Sequence, residues 1–429
     1  MPKNAIYNTL NNDQLIRALH RSDTVLVDTR DSNLFNGWPE PGRTVGGHIP
    51  SARNITVSWL NGSLTYLDSL LATKGITPDK FLILYGSDAQ SVADWLLSNK
   101  PFNKTSMALY PLGIQGWLNQ GQVLDTLPDF QRLVPPWWLA SCMASSQAPV
   151  IIDVSWGSGT RFMTSHIPGA IHVNTDWVES GPLWNLRHPE ALMQTLASLG
   201  IRVDTPVVVY GDDMMAAARV VFSLDYVGIR DVRLLNGGWR AWKEAGLPVA
   251  RGEQSVEPVA CFGEGKVSDT SLYRTHQVEQ LLVGSEAWLV SVRSWAEYIG
   301  ETSGYSYIEP KGRIAGSHWG RSGPDPYNMQ DYLNPDGTLR EAADLLGYWQ
   351  HFGADLGDTL VFYCGTGWRA SLAWFAARLV GIERAAVYDG GWLEWSSDPL
   401  RPVLTGAPDA HNTPFYSGET LPYDLCHYR

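Results

Sequence analysis

Cysteine is scarce in this chain, with four in 429 residues: Cys142, Cys261, Cys364 and Cys426. No two form a Cys-x-x-Cys pair, so no structural zinc site is expected, and their scatter suggests no disulfide framework. Positive charge is also in short supply. The 32 Lys and Arg are outnumbered by 44 Asp and Glu, which leaves a net charge of −12. That balance argues against a nucleic-acid partner. A run of ~20 apolar residues is missing, and with it the signal of a membrane-spanning helix. The opening residues Met1-Pro2-Lys3-Asn4-Ala5-Ile6 lack the apolar core of a secretory signal, which points to the cytoplasm. What remains is an acidic globular composition, 44% hydrophobic, long enough for about two to four domains.

Tryptophan, by contrast, is abundant at 19 residues, and several recur at matching places in an internal repeat. Each copy begins with an apolar strand: Val25-Leu26-Val27-Asp28-Thr29-Arg30, Val150-Ile151-Ile152-Asp153-Val154-Ser155, and Trp288-Leu289-Val290-Ser291-Val292-Arg293. A turn with histidine follows, containing His48, His166 or His318. A second apolar strand then ends in tyrosine: Leu82-Ile83-Leu84-Tyr85-Gly86, Val207-Val208-Val209-Tyr210-Gly211, and Val361-Phe362-Tyr363-Cys364. Each copy closes on a Gly-Trp turn at Trp117, Trp239 and Trp392. The strands are apolar throughout, which suits a parallel sheet covered on both faces. Helical spacing between them, as in Asp13 to Leu19, Ala191 to Leu199 and Ser371 to Val380, makes each copy an α/β unit. Linkers are expected near Leu127 to Pro136 and Gly252 to Val267, and a Gly/Tyr-rich insertion near Gly300 to Lys311 lengthens the third copy.

One position differs between the copies. Where the first two have Gly86 and Gly211, the third has Cys364, followed by Gly365-Thr366-Gly367-Trp368-Arg369-Ala370-Ser371. A glycine-rich turn between a buried strand and a helix can aim main-chain N–H groups at the sulfur. It also sets that sulfur at the positive end of the helix, and both effects favour an anionic sulfur. Thr366 offers a hydroxyl donor. Arg369 offers a permanent cation to the sulfur or to an anionic donor, or else a structural ion pair with Asp389 or Glu394. Trp368 reads as a wall of the pocket mouth or as a core anchor. The three histidines are expected to bond their own turns. Asp28 and Asp153 read as structural, and Asp212-Asp213 as a solvated turn. No G-x-G-x-x-G spacing follows the strand, so no dinucleotide cofactor is expected.

The combined signatures resemble the rhodanese family of sulfurtransferases over nearly the whole chain. The resemblance implies three tandem rhodanese-like domains, 1–130, 131–258 and 259–429, each a small mainly parallel sheet flanked by helices. It implies a persulfide on Cys364, formed from a small sulfur-containing anion such as thiosulfate or mercaptopyruvate, or from a protein persulfide. A thiol, cyanide or a sulfur-carrier protein then takes the outer sulfur. It places the amide cradle on Gly365 to Ala370 and turns Arg293 toward the loop. It requires no metal or cofactor. The first two units, lacking the nucleophile, are then structural or recognition modules. Two residues depart from the family pattern. Ser291 stands where relatives often carry an acid facing the arginine, so that contact is absent or replaced. Glu297 stands where thiosulfate-using relatives often carry an arginine; it should repel the donor unless Lys311, Arg313 or Arg321 compensates. Two rivals are weighed alongside: a non-catalytic scaffold, and a cysteine phosphatase of the same fold. The phosphatase signature needs five residues between Cys and Arg, whereas Gly365 to Trp368 supply four.

Overall fold

The computed structural model describes residues 7–145, 148–284 and 287–408. Cys426 lies outside them. The long strands are buried along nearly their whole length, as in Val207–Gly211 and Leu360–Tyr363. Helices cover both faces of the sheets they build, as the unbroken apolar runs require.

Among the described residues those sheets number three, of five strands each. The first holds β1 (Asn8–Thr9), β2 (Thr24–Asp28), β3 (Arg53–Asn54), β4 (Phe81–Tyr85) and β5 (Met107–Leu109), in the order β1-β5-β4-β2-β3. The second holds β6 (Leu133–Val134), β7 (Val150–Ser155), β8 (Ile171–Asn174), β11 (Val207–Gly211) and β12 (Val232–Leu235), with a hairpin of β9 (Glu179–Ser180) and β10 (Asn185–Leu186) outside it. Its order, β6-β12-β11-β7-β8, repeats the first. The third holds β13 (Leu272–Tyr273), β14 (Trp288–Ser291), β16 (His318–Trp319), β17 (Leu360–Tyr363) and β18 (Ala385–Tyr388), again in the same relative order. Strands β15 (Arg313–Ile314) and β19 (Val403–Leu404) pair beside it. Pairing within all three sheets is parallel.

The register repeats too. Asp28 pairs with Tyr85, Asp153 with Tyr210 and Ser291 with Tyr363. Gly86, Gly211 and Cys364 therefore occupy one equivalent place at the carboxyl edge of each sheet, where α/β folds build their ligand sites.

The helices expected from spacing form at Asn12–Leu19, Pro189–Ser198 and Trp368–Leu379. One apolar core runs through the second and third units. Its seam is the Met214–Tyr226 helix against the Trp368–Leu379 helix, with Phe222 meeting Trp374 edge-on at 4.9 Å between ring centres. The first unit keeps its own apolar clusters on the two faces of its sheet.

The first unit joins the third through charge. The fully buried Lys74 ammonium contacts Glu341 at 2.8 Å and Asp344 at 3.0 Å, and Arg53 pairs with both carboxylates. Asn54 N–H also donates to Glu341 at 2.7 Å. Burial of this kind is tolerable only because each charge faces opposite charges. Removing one member leaves the others uncompensated. Glu341→Gln is expected to lower the unfolding free energy at pH 7 by about 3 kcal/mol, measured as a shift of the urea transition. An unshifted transition would show that the joint carries no stability.

Candidate active site

Strand β17 delivers Cys364 to the carboxyl edge of the third sheet, and the chain turns at once. Gly367 adopts φ of 114°, which favours glycine, and the Trp368–Leu379 helix starts at the next residue. The Gly367 N–H donates to Cys364 Sγ at 3.2 Å. The loop carbonyls are held elsewhere: Trp392 N–H donates to Cys364 O at 2.7 Å and Leu393 N–H to Gly365 O at 3.1 Å. The Gly-Trp turn thus anchors the loop from behind. Gly391 must be glycine there, because it has φ of 56° and a Cβ on it would lie 2.6 Å from Gly365 O.

Arg369 follows in the first helical turn and is fully buried. Its guanidinium forks onto Glu297, at 2.8 and 2.9 Å, and not onto Asp389 or Glu394. The same carboxylate accepts from Arg293 Nε at 3.2 Å and from Ser294 at 2.9 Å. Arg293 also donates to Gly312 O and Ser303 O, tying in the Gly/Tyr-rich insertion. Burial alone would raise the Glu297 carboxyl, but Arg369 and Arg293 hold it down at about 2. Compensation for Glu297 comes from two other arginines. Its charge is met by Arg369 and Arg293, while Lys311, Arg313 and Arg321 bond or stack elsewhere. Glu297 also replaces the acid missing at Ser291, a contact the first unit keeps as Arg30–Asp28 at 2.6 Å.

A cavity of about 620 Å³ opens over the loop, floored by Thr366, Trp368 and Arg369. Cys364 sits behind these residues, 1% exposed. Tyr305 covers Gly365 so closely that a Cβ there would collide with its ring. Tyr305 stacks on Tyr307 at 5.2 Å and meets Tyr327 edge-on at 5.4 Å. The opposite wall belongs to the second unit and holds Trp156, Glu179, Trp184, Asp213 and Met215. Trp368 bridges the two sides, because its indole N–H donates to Glu179 Oε1 at 2.7 Å. It is therefore both pocket wall and anchor. Burial pushes the Glu179 carboxyl up to about 7 although Arg219 and Trp368 donate to it.

Other expected residues take structural places. His48 Nδ1 bonds Phe35 O and His166 Nδ1 bonds Phe162 O, in preceding helices and not in their own turns. His318 packs between Trp288 and Phe352. Asp212 pairs with Arg161 at 2.8 Å, whereas Asp213 is half-buried and caps the Met214–Tyr226 helix through the Met215 amide, so that pair is more than a solvated turn. Cys142 is half-buried at a helix end, and Cys261 is exposed. Reading the sequence missed Glu179, Trp184, Arg219 and the tyrosine cluster. Arg219 did leave a trace, as a lone charge inside Met214-Met215-Ala216-Ala217-Ala218-Arg219-Val220-Val221.

A loop cysteine under a helix N-terminus, at a place that recurs in three parallel sheets but holds cysteine in one, defines an α/β module repeated three times. The chain belongs to the rhodanese family: the model for the Rhodanese-like domain matches residues 11–120, 138–245 and 275–398. It is 41% identical to thiosulfate sulfurtransferase YnjE of Escherichia coli (strain K12), over 91% of this chain and 92% of that one. A probable 3-mercaptopyruvate sulfurtransferase of Pseudomonas aeruginosa is 34% identical over 59% of this chain and 89% of its own length. Among solved structures, wild-type EanB superposes with a TM-score of 0.88 at 32% identity, covering 94% of this chain and 99% of that one. The anaerobic ergothioneine biosynthesis enzyme of Chlorobium limicola, solved with trimethyl histidine, matches at a TM-score of 0.87 and 32% identity, over 94% of this chain and 100% of that one. The protein is a sulfurtransferase with three rhodanese-like domains. Among the described residues no helix is long and apolar enough to cross a membrane.

The Glu297 network has a pH signature. Its folded carboxyl lies near 2, below the ordinary 4.5, so its stabilisation is complete above pH ~4.5 and is lost as pH falls toward 2. Glu297→Gln should therefore destabilise the protein by about 3 kcal/mol at pH 7, with a smaller deficit at pH 3. Denaturation at both pH values checks this, and an equal deficit at each would contradict it.

Proposed function

We propose that Cys364 carries the transferred sulfur. Its thiolate attacks the transferable sulfur of the donor, and the bond from that sulfur to the rest of the donor breaks; with thiosulfate, sulfite leaves, and with mercaptopyruvate, the enolate of pyruvate leaves and takes up a proton. An acceptor nucleophile then attacks the outer sulfur of the persulfide and releases the thiolate. The supporting observation is the Gly367 amide on Sγ at the start of a 12-residue helix, under a cavity that the loop itself floors. Thr366 and Trp368 face the bound donor, and Gly365, Gly367 and Ala370 shape the cradle. Arg293 and Arg369 hold Glu297 and thereby the loop, rather than gripping the donor directly. A phosphatase would need that arginine free at the loop, and here it is committed. Gly86 and Gly211 have no nucleophile, so units 1–130 and 131–258 support a single catalytic unit, 259–429. Thiosulfate and mercaptopyruvate are proposed as donors, in line with the named activities of the relatives. A thiol, cyanide or a carrier protein is proposed as acceptor; a sulfur carrier protein of Thermus thermophilus, TtuD, is 31% identical over 57% of this chain.

Mass spectrometry after incubation with thiosulfate or mercaptopyruvate is expected to show one added sulfur on Cys364. Neither adduct nor turnover should survive in Cys364→Ser. An adduct on Cys142 or Cys261 with turnover intact in that variant would overturn the assignment.

A second acceptor class is favoured by the cavity lining. Trp156, Trp184, Tyr307, Tyr327 and Trp368 line the cavity together with Glu179 and Asp213, and an aromatic lining suits a quaternary ammonium. EanB has been solved in complex with hercynine. Titration calorimetry should detect hercynine binding to this protein, about ten-fold weaker in Trp184→Ala. No binding to the wild type would remove this reading and leave the first intact.

A further inference from the structure

We propose that Arg219, carried by the second unit, is a positioning residue for the Cys364 loop: its buried guanidinium fixes the approach of Gly367, whose amide reaches the sulfur, and keeps positive charge against that turn. The inference rests on Cys364 as the sulfur carrier.

The geometry is that of a clamp reaching between units. Arg219 is fully buried in the Met214–Tyr226 helix. Its Nε donates to Glu179 Oε2 at 2.9 Å, and its Nη2 to Asp389 Oδ1 at 2.7 Å and Trp184 O at 3.1 Å. The remaining nitrogen, Nη1, is buried and has no hydrogen-bond partner among the described residues. That nitrogen faces the loop. A Cβ built on Gly367 would lie 2.7 Å from Nη1 and 2.9 Å from Cζ, so the guanidinium rests against the Gly367 backbone and only glycine fits between.

Both neighbours of Arg219 are themselves tied to the site. Glu179 holds the Trp368 indole, and Asp389 precedes the Gly390-Gly391-Trp392 turn whose amides hold the loop carbonyls. Arg274 shares Asp389 at 2.8 Å. Two carboxyl groups and two guanidinium groups therefore meet at the seam. A sulfur anion in the turn adds the negative charge that the free face of Arg219 is placed to meet. This gives the second unit a part in catalysis that needs no nucleophile of its own. Its helix, which begins just after the vacant cysteine position, supplies the buttress for the helix that follows the occupied one.

The test uses three full-length variants: Arg219→Met, Arg219→Lys, and Arg219→Met with Glu179→Gln, the last relieving the carboxylate left unpaired. Folding is checked by thermal melting. Iodoacetamide labelling of Cys364 is then followed against pH, with the site mapped by mass spectrometry, alongside sulfur-transfer kinetics. In the folded methionine variants the labelling midpoint should rise by about one pH unit, and kcat should fall about ten-fold with KM within about two-fold. Arg219→Lys keeps the charge without the planar fork and should lie between them and wild type. A purely structural role would lower the melting temperature and leave the labelling midpoint alone. A wild-type midpoint and wild-type kcat in any folded variant would overturn the proposal. Absence of sulfur on Cys364 in the wild type would instead refute the functional reading; the labelling profile still reports on the loop in that case.

Discussion

The site depends on which way three peptide groups point. Between Cys364 and Gly367 the carbonyls of Cys364 and Gly365 are taken by amides of the Gly-Trp turn, so an N–H can face the sulfur. A thiol without such a setting has a pKa near 8.5 and is mostly protonated at neutral pH. Rotating one of those peptides would bring a carbonyl dipole toward the sulfur and disfavour its anion. The two close approaches at Gly391 and Gly365 show how little room the arrangement leaves.

Around this turn the charges are distributed by cost. Arg369 and Arg293 are both buried, and a single carboxylate, Glu297, serves them. The energy of that pairing goes into holding loop, helix and insertion together, because each arginine also spans a different segment. An arginine that looks in sequence like an anion-binding residue thus spends both terminal nitrogens on Glu297. This also separates the site from phosphoryl chemistry, in which the arginine must reach the transferred group.

The sequence made the architecture legible because three copies state the same pattern. Continuous apolar strands, a tyrosine at the strand end and a Gly-Trp turn define equivalent positions, and the register bears this out at Tyr85, Tyr210 and Tyr363. Cys364 stood out for the same reason. The partner of Arg369 did not, since Asp389 and Glu394 lie nearer in sequence than Glu297, and the choice is made by how the insertion folds back. Glu179 and Trp184 sit on a hairpin, β9–β10, with no counterpart in the repeat signatures. Their place beside the loop follows from packing between units, which no local spacing encodes.

Repetition without the nucleophile still has a physical use. A small α/β unit leaves the carboxyl edge of its sheet open to water, and a sulfur anion there gains little from weak dipoles. Packing the Met214–Tyr226 helix against the Trp368–Leu379 helix sets a second unit beside that edge. Lower exposure strengthens the Gly367 amide–sulfur contact, while Trp156, Trp184 and the tyrosines line the opening. The first unit is attached differently: Lys74, Arg53 and Trp59 bond the 336–344 segment, and Trp38 enters the second unit's apolar cluster with Ile151, Tyr210 and Trp242. The 336–344 segment belongs to the third unit, so the first unit grips both of the other two. The two cysteine-less units are therefore placed differently: the second walls the cavity, and the first packs behind it.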